Sequence, residues 1–237
     1  MTEDATRGPL YAPLLAPPEA ADGCFVLGRL AQSLDGRIAT ANGRSFWIGG
    51  EQDRLHTHRL RALCDAVLVG AGTIAADDPQ LTTRLCPGPS PVRVVIDTDR
   101  RLGPGFRVFS DGGPTLLLVG AAGPARLGQA EALELTRARH GGLDPASVLA
   151  ALAARGLRRV LVEGGGVTLS RFLAAGALDR LHLTLAPLLL GAGVPGFTLP
   201  CPVAPADGMR LTWTAYALGE DLLLDIPLAR ARPPACA

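Results

Sequence analysis

Two stretches of this chain combine glycine with polar side chains in a way that can support chemistry. The first is EGGGVTLSRF at 163–172. An apolar run ends at Glu163, three glycines follow, and helix-forming residues resume. Glycine lets a backbone approach a ligand closely, and the free N–H groups and dipole of a helix start, roughly half a charge, favour a phosphate there. The plainer reading is a tight strand-to-helix connection that needs glycine only for its dihedral angles. The stretch is not the fingerprint G-x-G-x-x-G and lies late in the chain, which argues against an ordinary Rossmann domain. The second stretch is VGAGTIAADDPQLTTR at 69–84, where a strand-like run again meets Gly-x-Gly and a short helix, here ending in Asp77 and Asp78. Paired carboxylates serve as acid–base groups or magnesium ligands, yet Asp before Pro is also an ordinary turn signal. Two such crossovers would set two anion-friendly edges on one side of a parallel sheet, where ligands bind. The coincidence says more than either stretch alone.

A third candidate is the segment 51–63, in which Arg54, His58 and Arg61 are spaced by four and three residues and share one helical face. They form either a solvated charged face or a phosphate clamp, with Arg84 as a second donor. Ser45 and Trp47 precede this segment; Trp47 is either core or a flat surface for a ligand. All 23 basic residues are Arg and none is Lys. That excludes a Schiff-base lysine, a P-loop lysine and a lysine general base. Arginine binds phosphate bidentately but is a poor proton shuttle.

Composition narrows the remaining classes. The five cysteines (Cys24, Cys64, Cys86, Cys201, Cys236) show no C-x-x-C spacing, and the four histidines form no ligand cluster, so no metal site is expected. His56 and His58, two apart on a helix, point to different faces. The odd, unpatterned thiols suit a reducing compartment, and the start of the chain lacks the basic and apolar regions of a secretory signal. A net charge of +1 gives no reason to expect nucleic acid or an acidic membrane as partner. The apolar stretch 181–199 is broken by His182, Thr184, Pro187 and Pro195 and does not read as a membrane span.

The elements that must position these residues are legible in outline. CFVLGRLAQSL (24–34), DAVLVG (65–70), VRVVID (92–97), TLLLVG (115–120), RRVLVEG (158–164) and LHLTLAP (181–187) read as strands, most of them buried. Helices are expected over 51–63, from Gly72 to before Pro79, from the Asp144-Pro145 start to Gly156, and over 170–175. LTWTAYAL and DLLLDIP, joined at Gly219-Glu220, read as a closing hairpin. The expected fold is α/β, a central mostly parallel sheet flanked by helices with a C-terminal antiparallel hairpin. Residues 1–22 are expected to be a flexible leader, 23–229 a single domain, and 230–237 a tail.

Together, LAQSLDGRIAT (30–40), SFWI (45–48), LRALCDAVLVGAGTIAADDPQLTTR (60–84), PVRVVID (91–97), VEGG (162–165) and APLLLGAG (186–193) resemble the reductase domain of the riboflavin-biosynthesis deaminase/reductase, within the dihydrofolate-reductase-like superfamily. The words occur in the family's order across most of the chain. No H-x-E with P-C-x-x-C of a zinc deaminase is found, so the chain resembles a stand-alone reductase. The resemblance implies a cytoplasmic homodimer that uses NADPH to convert the ribosyl group of a phosphorylated aminopyrimidine to ribityl. A same-fold reductase of another pyrimidine or pterin, including the non-deaminated diaminopyrimidine, and a non-catalytic nucleotide-binding module are the alternatives. It further implies substrate contacts at Ser45, Arg61, Leu81, Arg84 and Glu163. Cofactor contacts are implied at Ala31, Trp47, Thr73, Asp77 and Thr98, and along Gly164, Gly165, Gly166, Val167 and Thr168. Asp77 and Glu163 are the implied catalytic carboxylates, and no metal is implied. Arg29 stands where many relatives place a Lys, and Thr168 falls one step later than in a common family spelling.

Overall fold

Runs of Val, Leu and Ala bounded by Gly, Pro and Asp dictate the strand positions, and the helices fall between them. The computed structural model describes residues 8–45, 48–138, 141–200 and 204–229. In chain order these form α1 (Gly8–Leu15), β1 (Phe25–Ser33), β2 (Arg37–Thr40), α2 (Glu51–Leu63), β3 (Ala66–Gly70), α3 (Ala71–Asp77), β4 (Val92–Ile96), α4 (Arg107–Ser110) and β5 (Thr115–Val119). There follow β6 (Arg126–Leu127), β7 (Ala130–Glu134), α5 (Pro145–Ala153), β8 (Arg159–Glu163), α6 (Gly166–Ala174), β9 (Arg180–Ala186), β10 (Gly193–Pro195), β11 (Thr214–Leu218) and β12 (Asp221–Pro227).

Ten of the strands make one sheet in the order β11-β12-β9-β1-β8-β3-β4-β5-β7-β6. The centre, from β9 through β7, is parallel, and β11, β12 and β6 add antiparallel pairs at the margins. The mostly parallel sheet and C-terminal hairpin read from the sequence are both present. Strand alternation splits the core in two. Leu68, Val160 and Val162 face α5 and α6, meeting Leu149, Leu152, Leu169 and Phe172. Val67, Val69 and Leu161 face the other way, onto Leu60 of α2 and Ile74 of α3. Asp144 caps α5 as expected, its carboxylate accepting the N–H groups of Ala146 and Ser147 with Pro145 in the first turn.

Part of the stretch read as a flexible leader, residues 1–22, is ordered. Residues 8–15 are helical, and Leu10 and Leu14, one turn apart, are fully buried. Tyr11 from the same helix hydrogen-bonds His56 Nδ1 at 2.8 Å, and His56 Nε2 lies 3.1 Å from His182 Nδ1. His182 in turn lies 3.4 Å from Asp225, which Arg180 grips through two nitrogens. This buried polar chain ties α1 and α2 to β9 and β12. Burial holds the His182 imidazole below its ordinary value despite Asp225, so His182 stays neutral. The helix expected over 170–175 begins earlier, at Gly166, because its first turn is built from the glycine run itself. No helix among the described residues is long and apolar enough to cross a membrane.

Candidate functional site

β1, β8, β3 and β4 are neighbours and parallel, so their carboxyl ends form one continuous edge. The chain leaves β8 through Gly164, Gly165 and Gly166 and leaves β3 directly into α3. These two crossovers touch: Gly165 N–H donates to Thr73 Oγ1 at 3.1 Å. Gly164 has φ +112°, which only glycine adopts freely. Gly166 is required for space, since a Cβ there would meet the Gly196 carbonyl oxygen at 2.5 Å. Glycine is thus needed for dihedrals and packing, and an anion-friendly helix start is present as well. Gly165, the N-cap of α6, offers no side-chain acceptor to the first N–H groups. Above this edge opens a cleft of about 1060 Å³.

One wall of the cleft is the α2 face. Arg61 donates from Nε to Glu163 Oε1 at 2.8 Å and from a terminal nitrogen to Oε2 at 2.7 Å, and its other terminal nitrogen donates to the Thr82 carbonyl at 3.1 Å. Both side chains of the pair are at most 10% exposed. Arg29, which pairs in register with Glu163 across β1 and β8, donates instead to Asp53, whose second oxygen accepts from the Thr184 hydroxyl at 2.7 Å. Burial works against the Arg29 guanidinium, but Asp53, with Glu163 and Asp221 farther off, holds its pKa above the ordinary arginine value. His58 accepts the Arg84 backbone N–H at Nδ1, 2.9 Å. Burial first, then Arg61 and Arg84, pushes the His58 imidazole down to about 4. Across the cleft mouth, the Ser45 hydroxyl donates to Asp77 at 2.8 Å.

The residues singled out from the sequence gather here, with exceptions. Ser45, Arg61, Arg84 and Glu163 line the cleft, as do Ala31, Thr73, Asp77 and Thr98, and so does the run from Gly164 to Thr168. Leu81 does not. Only 2% exposed, it packs among Leu60, Ile74 and Phe109, with φ +56°, and shapes the loop from the core side. Trp47 lies outside the described residues. The clamp expected of Arg61 and Arg84 is divided: Arg61 is committed to Glu163, whereas the Arg84 guanidinium, among the described residues, meets only the Thr82 hydroxyl, at 2.8 Å. His56 and His58 point apart, one into the buried chain with Tyr11 and His182, the other to the cleft. Sequence reasoning gave no role to Asp53, nor to Arg171, which lines the cleft from α6. Spacing carried no signal for either, since the side-chain partners of Asp53 are 24 or more residues away and Arg171 has none among the described residues.

A parallel sheet with its ligand cleft over adjoining carboxyl strand ends, closed by an antiparallel hairpin, defines an α/β protein of dihydrofolate-reductase-like fold. Dihydrofolate reductase from Enterococcus faecalis, solved as a complex with NADP(H), shares that fold at a TM-score of 0.50 and 12% identity, over 86% of this chain and 96% of that one. The chain belongs to the RibD C-terminal domain family, whose pattern matches residues 25–218. It is 38% identical over 210 residues to the 2,5-diamino-6-ribosylamino-4(3H)-pyrimidinone 5′-phosphate reductase of Methanothermobacter thermautotrophicus, covering 85% of this chain and 96% of that protein. The crystal structure of the diaminohydroxyphosphoribosylaminopyrimidine deaminase/5-amino-6-(5-phosphoribosylamino)uracil reductase of Thermotoga maritima matches with a TM-score of 0.77 and 30% identity, over 87% of this chain. The chain spans 57% of that longer protein.

Proposed function

We propose that this protein reduces the ribosyl group of a phosphoribosylamino-pyrimidine to ribityl in riboflavin biosynthesis, with NADPH as hydride donor. The observation that carries the reading is the contact of the two glycine-bearing crossovers through Thr73 and Gly165, beside the buried Arg61–Glu163 pair. The first supplies a seat for a diphosphate, the second a fixed polar floor beside it.

The uncapped N–H groups of α6 suit the diphosphate of a dinucleotide, and a cleft of about 1060 Å³ is at the upper end for small-ligand sites, which run to about 1,000 Å³. A reduced nicotinamide bound there supplies the hydride. In the reaction hydride adds to the ribose C1′, the C1′–O4′ bond opens, and the oxygen leaving with the electron pair takes up a proton. Glu163, accepting two guanidinium bonds, is held as an acceptor and orients the sugar; Asp77, at the mouth and hydrogen-bonded by Ser45, stands where protons exchange with water. Arg84 anchors the phosphate, since no carboxylate among the described residues meets its guanidinium. Choice of NADPH over NADH is supported by Arg171, which lines the cleft from α6, opposite the Arg84 face, with no acidic partner among the described residues. The free thiols Cys64 and Cys86 support a cytoplasmic setting, and the exposed Trp213 and Leu222 at the hairpin edge support a homodimer.

The relatives' names point to two substrates that differ by an amino or an oxo group on the pyrimidine. Following NADPH oxidation by absorbance with each aminopyrimidine phosphate tests the function and assigns the preferred ring. Cofactor binding with no oxidation on either substrate would remove the reductase reading and leave a nucleotide-binding module.

A further inference from the structure

His58, grouped by its spacing with Arg54 and Arg61 as a solvated face or a phosphate clamp, has no role in the proposed reaction, and the geometry fixes the state of both its ring nitrogens. Nδ1 accepts the Arg84 N–H at 2.9 Å, so a neutral ring carries its proton on Nε2. A protonated ring could not accept that bond, and the depressed basicity of His58 between Arg61 and Arg84 agrees with a neutral imidazole. Among the described residues nothing accepts the Nε2–H, and the side chain, 6% exposed, lines the cleft. The surroundings favour an anion at that position. Arg61 is matched by Glu163, but Arg84 brings a cation with no carboxylate opposite it among the described residues. Arg107 is tied to Asp78 nearby and adds to the positive field that lowers the Arg84 pKa, after burial and Arg61.

We propose that His58 is a substrate-contact and positioning residue: its Nε2–H donates to the phosphate monoester of the substrate, while its Nδ1 pins the backbone of Arg84, whose guanidinium binds the same phosphate. The inference rests on the reductase reading for the identity of that monoester. A neutral donor suits the place. It adds a hydrogen bond to the anion without adding a third cation to Arg61 and Arg84.

The two nitrogens can be separated by substitution. His58→Asn keeps an acceptor near the Nδ1 position and removes the Nε2 donor; His58→Gln does the reverse. The measured quantity is kcat/KM for the aminopyrimidine phosphate divided by kcat/KM for its dephosphorylated nucleoside. In His58→Asn this ratio falls by about ten- to a hundred-fold, as expected for one hydrogen bond to a charged group, with the loss carried by KM and the NADPH dissociation constant unmoved. His58→Gln keeps the donor and loses only the pin on Arg84, so its ratio falls less than that of His58→Asn, even where the melting temperature drops. An unchanged ratio in His58→Asn overturns the proposal, as does weaker NADPH binding, which would move the contact to a cofactor phosphate. Ribose 5-phosphate binding by calorimetry keeps the tests apart. If neither aminopyrimidine is turned over by wild type, the reductase reading fails, while tighter ribose 5-phosphate binding by wild type than by His58→Asn still upholds the contact and equal binding refutes it.

Discussion

Replacing Arg61 by Ala separates a phosphate clamp from a buried pair, because the two make different demands on stability. A clamp residue facing ligand would cost substrate binding alone: one charge-assisted bond is about 1.5–3 kcal/mol, or roughly ten- to a hundred-fold in kcat/KM. The geometry asks for more. Arg61→Ala strands the Glu163 carboxylate, 9% exposed, without either of its guanidinium donors and leaves the Thr82 carbonyl short of one. Breaking a buried pair from one side costs about 3–5 kcal/mol. At about 2–4 °C per kcal/mol for a chain of this size, the melting temperature should fall by roughly 6–20 °C. Because Glu163 loses its orientation, kcat should fall while KM rises. The control is Arg61→Ala/Glu163→Gln, which removes the stranded charge and should be more stable than Arg61→Ala alone. Thermal melts and steady-state kinetics on the four-protein cycle give the coupling directly. An Arg61→Ala protein melting within about 2 °C of wild type, or strictly additive substitutions, would refute the argument that the pair is a structural unit of the site.

Two further outcomes follow from charges elsewhere in the cleft. Arg171→Ala should erode the preference for NADPH over NADH by about tenfold or more, equivalent to the loss of one charge-assisted bond, through the KM for NADPH; equal effects on both cofactors would place the 2′-phosphate elsewhere. Stability should also depend on acid. His58 has a folded pKa of about 4 against 6.5 for the free side chain, so between those values the unfolded chain binds the extra proton. The contribution is therefore complete above pH 6.5 and is lost as pH falls towards 4, and His182, lowered by burial, acts in the same direction. Urea melts from pH 7 to 4.5 should show a shallower decline for His58→Asn than for wild type; parallel declines would contradict the assignment.

Legibility in the sequence followed the strength of local patterning. The buried strands β3, β4, β5 and β8 are uninterrupted apolar runs, and α2 and α5 carry a helical stripe or a cap, so their places could be read within a residue or two. The β2–β10 pair could not, because β10 is three residues, Gly-Val-Pro, held by register with residues 37–40 more than 150 positions earlier. AEALE in β7 has helix-forming composition and becomes a strand only by pairing with β5. In α1, Pro9 and Pro13 hide the Leu10–Leu14 stripe, and the helix gains its stability from docking rather than from propensity. The site followed the same rule. Each glycine-bearing crossover was visible as a local word, and Leu81 was drawn in with its neighbours although its side chain turns to the core. What no local word held was which charges meet which.

That pairing carries unusual weight in a chain whose every basic residue is arginine. With no lysine to mark a different chemistry, structural and ligand-binding cations have the same letter. The fold distinguishes them by what it sets opposite. Arg29, Arg61, Arg93 and Arg180 are largely buried, and each faces a carboxylate, Asp53, Glu163, Asp111 or Asp225. A guanidinium out of water must be matched in this way, or its desolvation goes uncompensated. Arg84 and Arg171 are exposed at the cleft and face no carboxylate among the described residues, one from the α2 side of the sheet and one from the α6 side. Unmatched charge on a solvated rim is inexpensive to keep and free to meet an incoming anion. Two such rims on opposite faces, with a neutral edge of glycine crossovers between them, suit two phosphorylated molecules whose reacting ends meet in the middle.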